Sequence, residues 1–288
     1  MSYALALNST NVTGPNNSVF QYTFSSGSFV AKDAEIALSS ASIPYSWYNV
    51  SSYYNNQNFS LVFPLAASTT TLNITLPAGY YSVNDIQNYI QQQCVANALY
   101  LVDNNGNYVY YVFFSYNVNY YGIQVLLSAV PTVLPTGWSK PTVGTGGWKI
   151  ALPSSGYTPQ LVLPSNGSIS TIIGFVAGAS YPSALTTSSQ SILSTLTPNG
   201  STVNSIVVRC SIVKNNIGSP TDILDAINIT VPYGSAITYN PSFERWVKIN
   251  DGTYSNITLT LTDQNFNTIY ARDPNISITL LIRNKSSK

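Results

Sequence analysis

Hydrophobic and polar residues alternate along most of the chain, and this period of two predicts β-strands. The runs 20–24, 59–63 and 72–76 place a Phe, Tyr, Leu or Ile at every second position. Further strands are predicted at 35–43, 108–114, 121–127, 205–213, 227–231, 257–261 and 276–282. Roughly ten short strands predict an all-β fold of two packed sheets with Greek-key connections, a jelly-roll β-sandwich. An immunoglobulin-like sandwich is disfavoured because the chain is too long and lacks the Cys…Trp…Cys spacing.

Two segments have helical features instead. Ser82 and Asp85 form a capping box, and apolar residues follow at helical spacing as far as Cys94, which predicts an amphipathic helix over 83–94. A second, short helix is predicted at 221–226.

Turn chemistry divides the predicted strands. Asn105-Gly106 is a strong β-hairpin sequence, and it links the apolar runs on either side of it. The segment 263–267 separates the last two strands, which are therefore predicted to form a hairpin.

The region 129–166 is the least regular part of the chain. It contains six prolines and several glycines, which predict a long surface loop or a small insertion. No break in composition marks a second domain, so residues 1–288 are predicted to form a single jelly-roll domain.

Charge is scarce throughout the chain. Charged residues make up 7% of the sequence, the net charge is +1 and there is no histidine, whereas an ordinary domain is about a quarter charged. Ser, Thr, Asn and Tyr take the place of charged residues, and a net charge near zero favours association between molecules. Codon bias in an AT-rich genome is a second explanation of the Asn and Tyr content, although it does not account for the scarcity of Lys.

The same composition limits partners and compartment. Phosphate binding needs clustered Lys or Arg, so nucleic-acid sequence recognition is not expected, and Arg283, Lys285 and Lys288 are interpreted as a solvated terminus. Cys94 and Cys210 lie far apart in apolar segments, which predicts two buried free thiols in a reducing compartment. Neither a signal peptide nor a membrane-spanning segment is predicted.

Catalytic chemistry has few candidates. The absence of histidine excludes Ser/His/Asp and Cys/His mechanisms and weakens any zinc site. Asp222 and Asp225 are a carboxylate pair of the kind a glycosidase needs, but Asp222 is better interpreted as a helix cap after Pro220. The sequence therefore predicts a protein that is not an enzyme, with no catalytic and no cofactor-binding residue.

One motif has the spacing of a metal loop. Asp103, Asn105 and Asn107 match the first half of a calcium-binding loop, but no glutamate follows at the required distance. Hairpin turn chemistry explains these residues better, so no metal site is predicted.

Tyrosines are concentrated in two stretches, 45–54 and 108–121. They suit strands with their rings in a core, but exposed tyrosines also suit protein interfaces and the stacking of sugar rings. Neighbouring strand residues point to opposite faces. One member of each pair, Tyr110-Tyr111 and Tyr120-Tyr121, is thus expected to need cover from elsewhere, such as a partner subunit.

Several ordered blocks together resemble the penton-type minor capsid proteins of virophages and Polinton-like elements. The blocks are 35–49, 76–90, 173–175, 207–215, 257–263, 273–274 and 280–283. They extend over most of the chain, and their order is more specific than any single block.

This resemblance implies a jelly-roll subunit that forms a homopentamer at icosahedral vertices and contacts the double-jelly-roll major capsid protein. It implies no catalytic residues, a place in the virion, and assembly in the virus factory of the host cytoplasm. The alternative is a glycan- or receptor-binding β-sandwich head of a virion. The sequence names no interface residue.

Overall fold

The computed structural model describes residues 2–285, which fall into two compact units. Unit 1 comprises residues 2–47 and 203–285, and unit 2 comprises residues 48–202, inserted into unit 1 along the chain. Neither boundary was predicted from the sequence, and the prediction of one domain over 1–288 stays a prediction.

Most regular structure is β. The strands are β1 (Ser2–Leu7), β2 (Val19–Thr23), β3 (Phe29–Ala31), β4 (Ala34–Pro44), β5 (Asn58–Pro64), β6 (Thr69–Thr75), β7 (Leu101–Val102), β8 (Tyr108–Val109), β9 (Val112–Asn117), β10 (Gly122–Leu127), β11 (Gln160–Val162), β12 (Ser180–Tyr181), β13 (Gln190–Leu193), β14 (Ser205–Cys210), β15 (Ile223–Asn228), β16 (Ala236–Tyr239), β17 (Val247–Lys248), β18 (Gly252–Tyr254), β19 (Asn256–Thr262) and β20 (Ser277–Asn284). The helices are α1 (Val83–Ala96), α2 (Gly147–Ile150) and α3 (Ser170–Ile173), with 3-10 turns η1 (Ser9–Asn11) and η2 (Val118–Tyr120).

Unit 1 has the strand order of a jelly roll. One antiparallel sheet runs β1-β20-β4-β16, with β17 also paired to β4, and the other runs β15-β14-β19-β2. If the eight main strands are counted along the chain, the sheets read 1-8-3-6 and 5-4-7-2, which is the arrangement of two interlocked Greek keys. The predicted jelly-roll sandwich is confirmed.

The two sheets of unit 1 bury alternate residues. In β20, Ile278, Leu280 and Ile282 are buried, and in β19 the buried residues include Ile257 and Leu259. The period of two therefore gives each strand one apolar face, which the core of the unit covers.

The last two strands correct the predicted hairpin. The segment after β19 closes its own turn, with hydrogen bonds from Asp263 N–H to Asn267 O and from Phe266 N–H to Asp263 O. The chain then leaves that sheet, and β20 lies between β1 and β4 in the other one. The apolar face of β20 is buried in that sheet, and this burial outweighs the local preference for a hairpin.

The predicted helix at 221–226 is wrong. Residues 223–228 form β15, which pairs with β14 from Ser205↔Asn228 to Arg209↔Ile223. Pairing with a buried neighbouring strand outweighs weak helix propensity here.

Unit 2 contains the sheets β12-β11-β5-β6 and β13-β10-β9, the hairpin β7-β8 and all three helices. The predicted helix over 83–94 is confirmed as α1, with the Ser82–Asp85 capping box formed and Ile86, Ile90 and Cys94 buried. The hairpin at Asn105-Gly106 is also confirmed as β7-β8, with Gly106 at φ +82°.

Helix α1 closes one edge of a sheet through a side chain. Gln87 accepts a hydrogen bond from Phe114 N–H at 2.8 Å and donates one to Val112 O at 3.3 Å. Its amide therefore takes the place that a neighbouring strand would have beside β9.

The region 129–166 lies within unit 2 and contains only α2 and β11 as regular structure. Trp148 anchors it: the indole is fully buried, donates to Pro64 O at 2.9 Å, and packs edge-on against Phe63 and Tyr111. Gly147 permits this approach, because a Cβ there would lie 2.4 Å from Asn97 O.

Candidate functional site

Asp222 and Asp225, the two carboxylates that a glycosidase mechanism would have used, each form an ion pair with an arginine. Asp222, which was predicted to cap a helix, instead lies beside β15 and receives two parallel hydrogen bonds from Arg209, at 3.0 and 2.9 Å. Asp225 lies on β15, and its side chain is only 3% exposed. The two acids bind different cations, so the structure does not bring them together as a catalytic pair.

Asp225, which is itself buried, is the centre of a polar cluster in unit 1 whose other side chains are partly or largely exposed. It accepts hydrogen bonds from the Tyr239 hydroxyl, from Arg245 at 3.0 Å and from Ala226 N–H at 2.8 Å. Desolvation, and then the hydrogen bond to Asp225, raise the pKa of Tyr239 to about 12. This cluster ties β15 to β16 and to the segment that carries Arg245.

A second cluster joins the end of β20 to β4. Glu35 receives hydrogen bonds from Arg283 at 2.8 and 3.0 Å and pairs with Lys285 at 2.9 Å. The Arg283 guanidinium also lies 3.9 Å from the centre of the Trp246 ring. Desolvation acts to raise the pKa of Glu35, but hydrogen bonds and charge from Lys285 and Arg283 outweigh it and lower that pKa.

These contacts also correct the interpretation of the basic residues near the C-terminus. Arg283 and Lys285 are not simply solvated, because both bind Glu35. Lys288 lies outside the described residues.

The calcium-like motif forms a turn, as predicted. Asp103 accepts hydrogen bonds from the backbone N–H groups of Asn105 and Asn107 and from the Asn107 side chain. The Asn107 side-chain and backbone hydrogen bonds are the main causes that lower the pKa of Asp103. Asp263 accepts the same three bonds, from Asn265 and Asn267. Within residues 2–285, no three His, Cys, Asp or Glu side chains are grouped as a metal site would require.

Both cysteines are free and buried, as predicted. Burial raises the pKa of Cys94 and of Cys210 to about 12 in each case. A thiol with so high a pKa is a poor nucleophile at neutral pH. Cys94 lies in unit 2 and Cys210 in unit 1.

Charge is divided unequally between the units. Among residues 48–202, only Asp85, Asp103, Lys140 and Lys149 are charged, and all five ion pairs found between described residues lie in unit 1. The two lysines of unit 2 donate to backbone carbonyl groups, and Asp85 caps α1. Unit 2 therefore has an almost uncharged surface.

The tyrosine-rich stretches divide into core and surface. Tyr45, Trp47 and Tyr111 are buried, whereas Tyr53 is exposed. In the pair Tyr110-Tyr111, one ring is in the core and the other is half-buried, close to the expected alternation.

The pair Tyr120-Tyr121 does not alternate, because it lies in a turn rather than in a strand. Tyr120 is 71% exposed and Tyr121 is 66% exposed, and Tyr121 has a left-handed backbone with φ +47°. We call residues 115–122 the tyrosine tip; they comprise the end of β9, the connecting turn 118–121 and the first residue of β10.

Unit 2 also has a cavity of about 440 Å³ at the β5-β6 turn. Its lining residues include five with hydroxyl side chains, Ser68, Thr69, Ser154, Ser155 and Tyr157, and apolar residues such as Pro64, Leu65 and Leu185. No lining residue is a carboxylate, a cysteine or a cation.

Comparison with known proteins finds distant structural likenesses, which include the two that follow. The mavirus penton protein, solved as a crystal structure of its selenomethionine-labelled form, is 9% identical, with a TM-score of 0.44 and 99% of each chain covered. A chain of the Sputnik virophage structure, solved by cryo-electron microscopy, is 14% identical, with a TM-score of 0.39 and coverage of 99% of this chain and 98% of that one. No family model and no curated protein matches the sequence. Likenesses this distant establish neither a family nor a function for this chain.

No helix among residues 2–285 combines the length and apolar character needed to cross a membrane.

Sequence reasoning missed Tyr239 and Arg245 as partners of Asp225, because nothing local connects them. It also missed the charge division, although the sequence contains that information: the interval 48–202 holds only four charged residues.

Proposed function

We propose that this chain is a structural subunit of a virus capsid, of the penton type, that it has no enzymatic activity, and that five copies assemble at each icosahedral vertex. The observation that carries the proposal is the eight-stranded jelly-roll order of unit 1. Jelly rolls occur in viral capsids, lectins and cupins, so the fold alone does not choose among them. The ordered blocks that resemble penton proteins favour the capsid.

The polar residues of the chain support a structural role. Asp222, Asp225 and Glu35, which are acids in unit 1, each bind a cation in an ion pair. Both thiols are buried with raised pKa values. These side chains stabilise the fold, which is what a subunit that acts by assembly requires.

The proposal includes the partners and the location. The neighbours at the vertex are other copies of this chain and the double-jelly-roll major capsid protein, and assembly takes place in the virus factory of the host cytoplasm. An almost uncharged unit 2 suits close packing among copies, because few ionised groups lose their hydration at a contact.

Reconstruction of purified particles by cryo-electron microscopy tests the proposal. The expected result is density for five copies of this chain at each fivefold vertex, together with a pentamer of the full chain in native mass spectrometry. A chain that is absent from the particles, or that lies away from the vertices, would overturn it.

Carbohydrate binding is a second candidate function, and the cavity at the β5-β6 turn favours it. Its lining residues are uncharged, and several of them, including Tyr157, carry hydroxyl groups that suit a neutral sugar. A glycan array tests this function, with Tyr157→Ala as the variant. Binding that the variant loses would support a glycan-binding head, and no binding by the full chain would exclude it.

A further inference from the structure

The tyrosine tip exposes an unusual amount of aromatic and apolar surface. Tyr116, Val118, Tyr120 and Tyr121 are 45%, 74%, 71% and 66% exposed, all within six positions of one hairpin connection. The ring centres of Tyr116 and Tyr121 are 6.1 Å apart in an edge-to-face arrangement. Residues 104–139 include no charged side chain.

The base of the tip is held in place by hydrogen bonds. Asn117 donates to the Gln124 side chain at 2.9 Å, and Ile123 N–H donates to the Ser194 hydroxyl at 3.1 Å. Gly122 leaves room for this contact, because a Cβ there would lie 2.9 Å from the Ser194 hydroxyl oxygen and would displace it. The tip is therefore preorganised, which lowers the entropic cost of binding.

Tyr121 has a backbone conformation that favours glycine. A left-handed residue with a Cβ is strained, and a bulky residue there is an outlier. The ring is mostly exposed, and the ring contact it makes is with Tyr116 of the same tip. Retaining a strained, exposed tyrosine is understandable if its ring contacts something outside the chain.

Composition points to a protein partner. The tip reads Ser-Tyr-Asn-Val-Asn-Tyr-Tyr-Gly. Tyr, Ser, Asn and Gly dominate the recognition loops of antibodies, since tyrosine gives contact area at low entropic cost and the small polar residues give adaptable hydrogen bonds.

Charge indicates which protein. A partner surface with an ordinary number of charged residues is usually matched by opposite charges across the interface. The tip has no charged residue to supply them. Unit 2 of a second copy is an almost uncharged surface, and its four charged side chains all have local hydrogen bonds. Contact between the tip and such a surface leaves no ionised group unpaired.

We propose that the tyrosine tip docks on unit 2 of a neighbouring copy and forms part of the subunit interface. This inference rests on the proposed pentamer. It differs from that proposal in naming the residues, so the two can fail separately.

The first test measures assembly of the full chain and of Tyr120→Ser, Tyr121→Gly and Phe243→Ser by native mass spectrometry over a concentration series. Phe243 is the control, since it lies in unit 1 and is 70% exposed, like Tyr120. Each tip variant is expected to weaken association at least tenfold, whereas Phe243→Ser assembles normally. Tyr121→Gly should also keep or raise the melting temperature, which a merely misfolded variant would not.

Tip variants that form pentamers as well as the unmodified chain overturn this inference and leave the proposed function standing. If the chain assembles only in particles, photocrosslinking from Tyr120→p-benzoylphenylalanine tests the inference instead, because it identifies the protein that the tip contacts. Crosslinks to peptides from 48–202 of a second copy support the inference. Crosslinks to another protein, or loss of glycan-array binding in the tip variants, overturn it.

Discussion

Unit 1 and unit 2 are both antiparallel β structures with apolar cores, but they use polar residues differently. In unit 1, Asp225 and Glu35 are held by arginines, by a lysine and by a tyrosine. In unit 2, buried polar groups such as Gln87 and the Trp148 indole bind backbone groups without any ion pair. Unit 1 therefore depends on charge as well as packing, whereas unit 2 depends on packing and neutral hydrogen bonds.

The two buried thiols allow this comparison to be tested, because each unit contains one. A thiol reagent reaches Cys94 only when unit 2 opens and Cys210 only when unit 1 opens. Labelling rates of the two cysteines thus report the stability of the two units separately.

The largest effect is expected from Trp148→Ala in unit 2. Loss of a fully buried indole and of its hydrogen bond to Pro64 should reduce stability by about 3–5 kcal/mol. Cys94 labelling should then accelerate by about two to four orders of magnitude. A smaller change is expected for the control Trp138→Ala, which removes a partly buried indole. An equal increase in the Cys210 labelling rate would contradict the expectation that each unit opens separately.

A smaller effect is expected from Asp225→Ala in unit 1. Removing the carboxylate leaves the Tyr239 hydroxyl and Ala226 N–H without their acceptor, which should reduce the free energy of unfolding by about 2 kcal/mol. Asp222→Ala is the control, because its pair with Arg209 is more exposed and should contribute about 1 kcal/mol or less. Chemical denaturation, monitored by the rate of Cys210 labelling, measures the loss of unfolding free energy in both variants. Equal losses in Asp225→Ala and Asp222→Ala would refute the importance of burial.

Acid should weaken unit 1 through Glu35. Its pKa is lowered in the folded protein from an ordinary value of 4.5. The ionised form therefore stabilises unit 1 above that value, and the contribution is lost as pH falls through the lowered pKa. Glu35→Gln should flatten the acid side of the stability curve by up to about 1 kcal/mol, whereas Glu244→Gln, at an exposed acid, should not. Identical acid slopes would rule out this role.

Salt should produce the smallest difference. Raising NaCl from about 0.05 M to about 0.5 M screens partly exposed ion pairs, so unit 1 should lose a few tenths of a kcal/mol. Unit 2 has no ion pair among its described residues to lose. Parallel labelling of Cys94 and Cys210 at the two salt concentrations measures this, and an equal response of both units would contradict the charge division.

Local sequence determined much of this protein. The capping box and apolar spacing define α1, the period of two defines most strands, and Asp103 with Asn105 and Asn107 defines a hairpin turn. Each of these depends on contacts within a few residues along the chain, so the sequence can be interpreted without knowledge of the fold.

Only the tertiary structure decided what depends on distant partners. It placed β19 and β20 in different sheets, made 223–228 a strand, and buried Asp225 beside Tyr239 and Arg245. It also separated the buried Tyr111 from the exposed Tyr120 and Tyr121, because exposure depends on which elements pack over a ring. Strand pairing and burial join residues far apart in sequence, and local periodicity does not specify those partners.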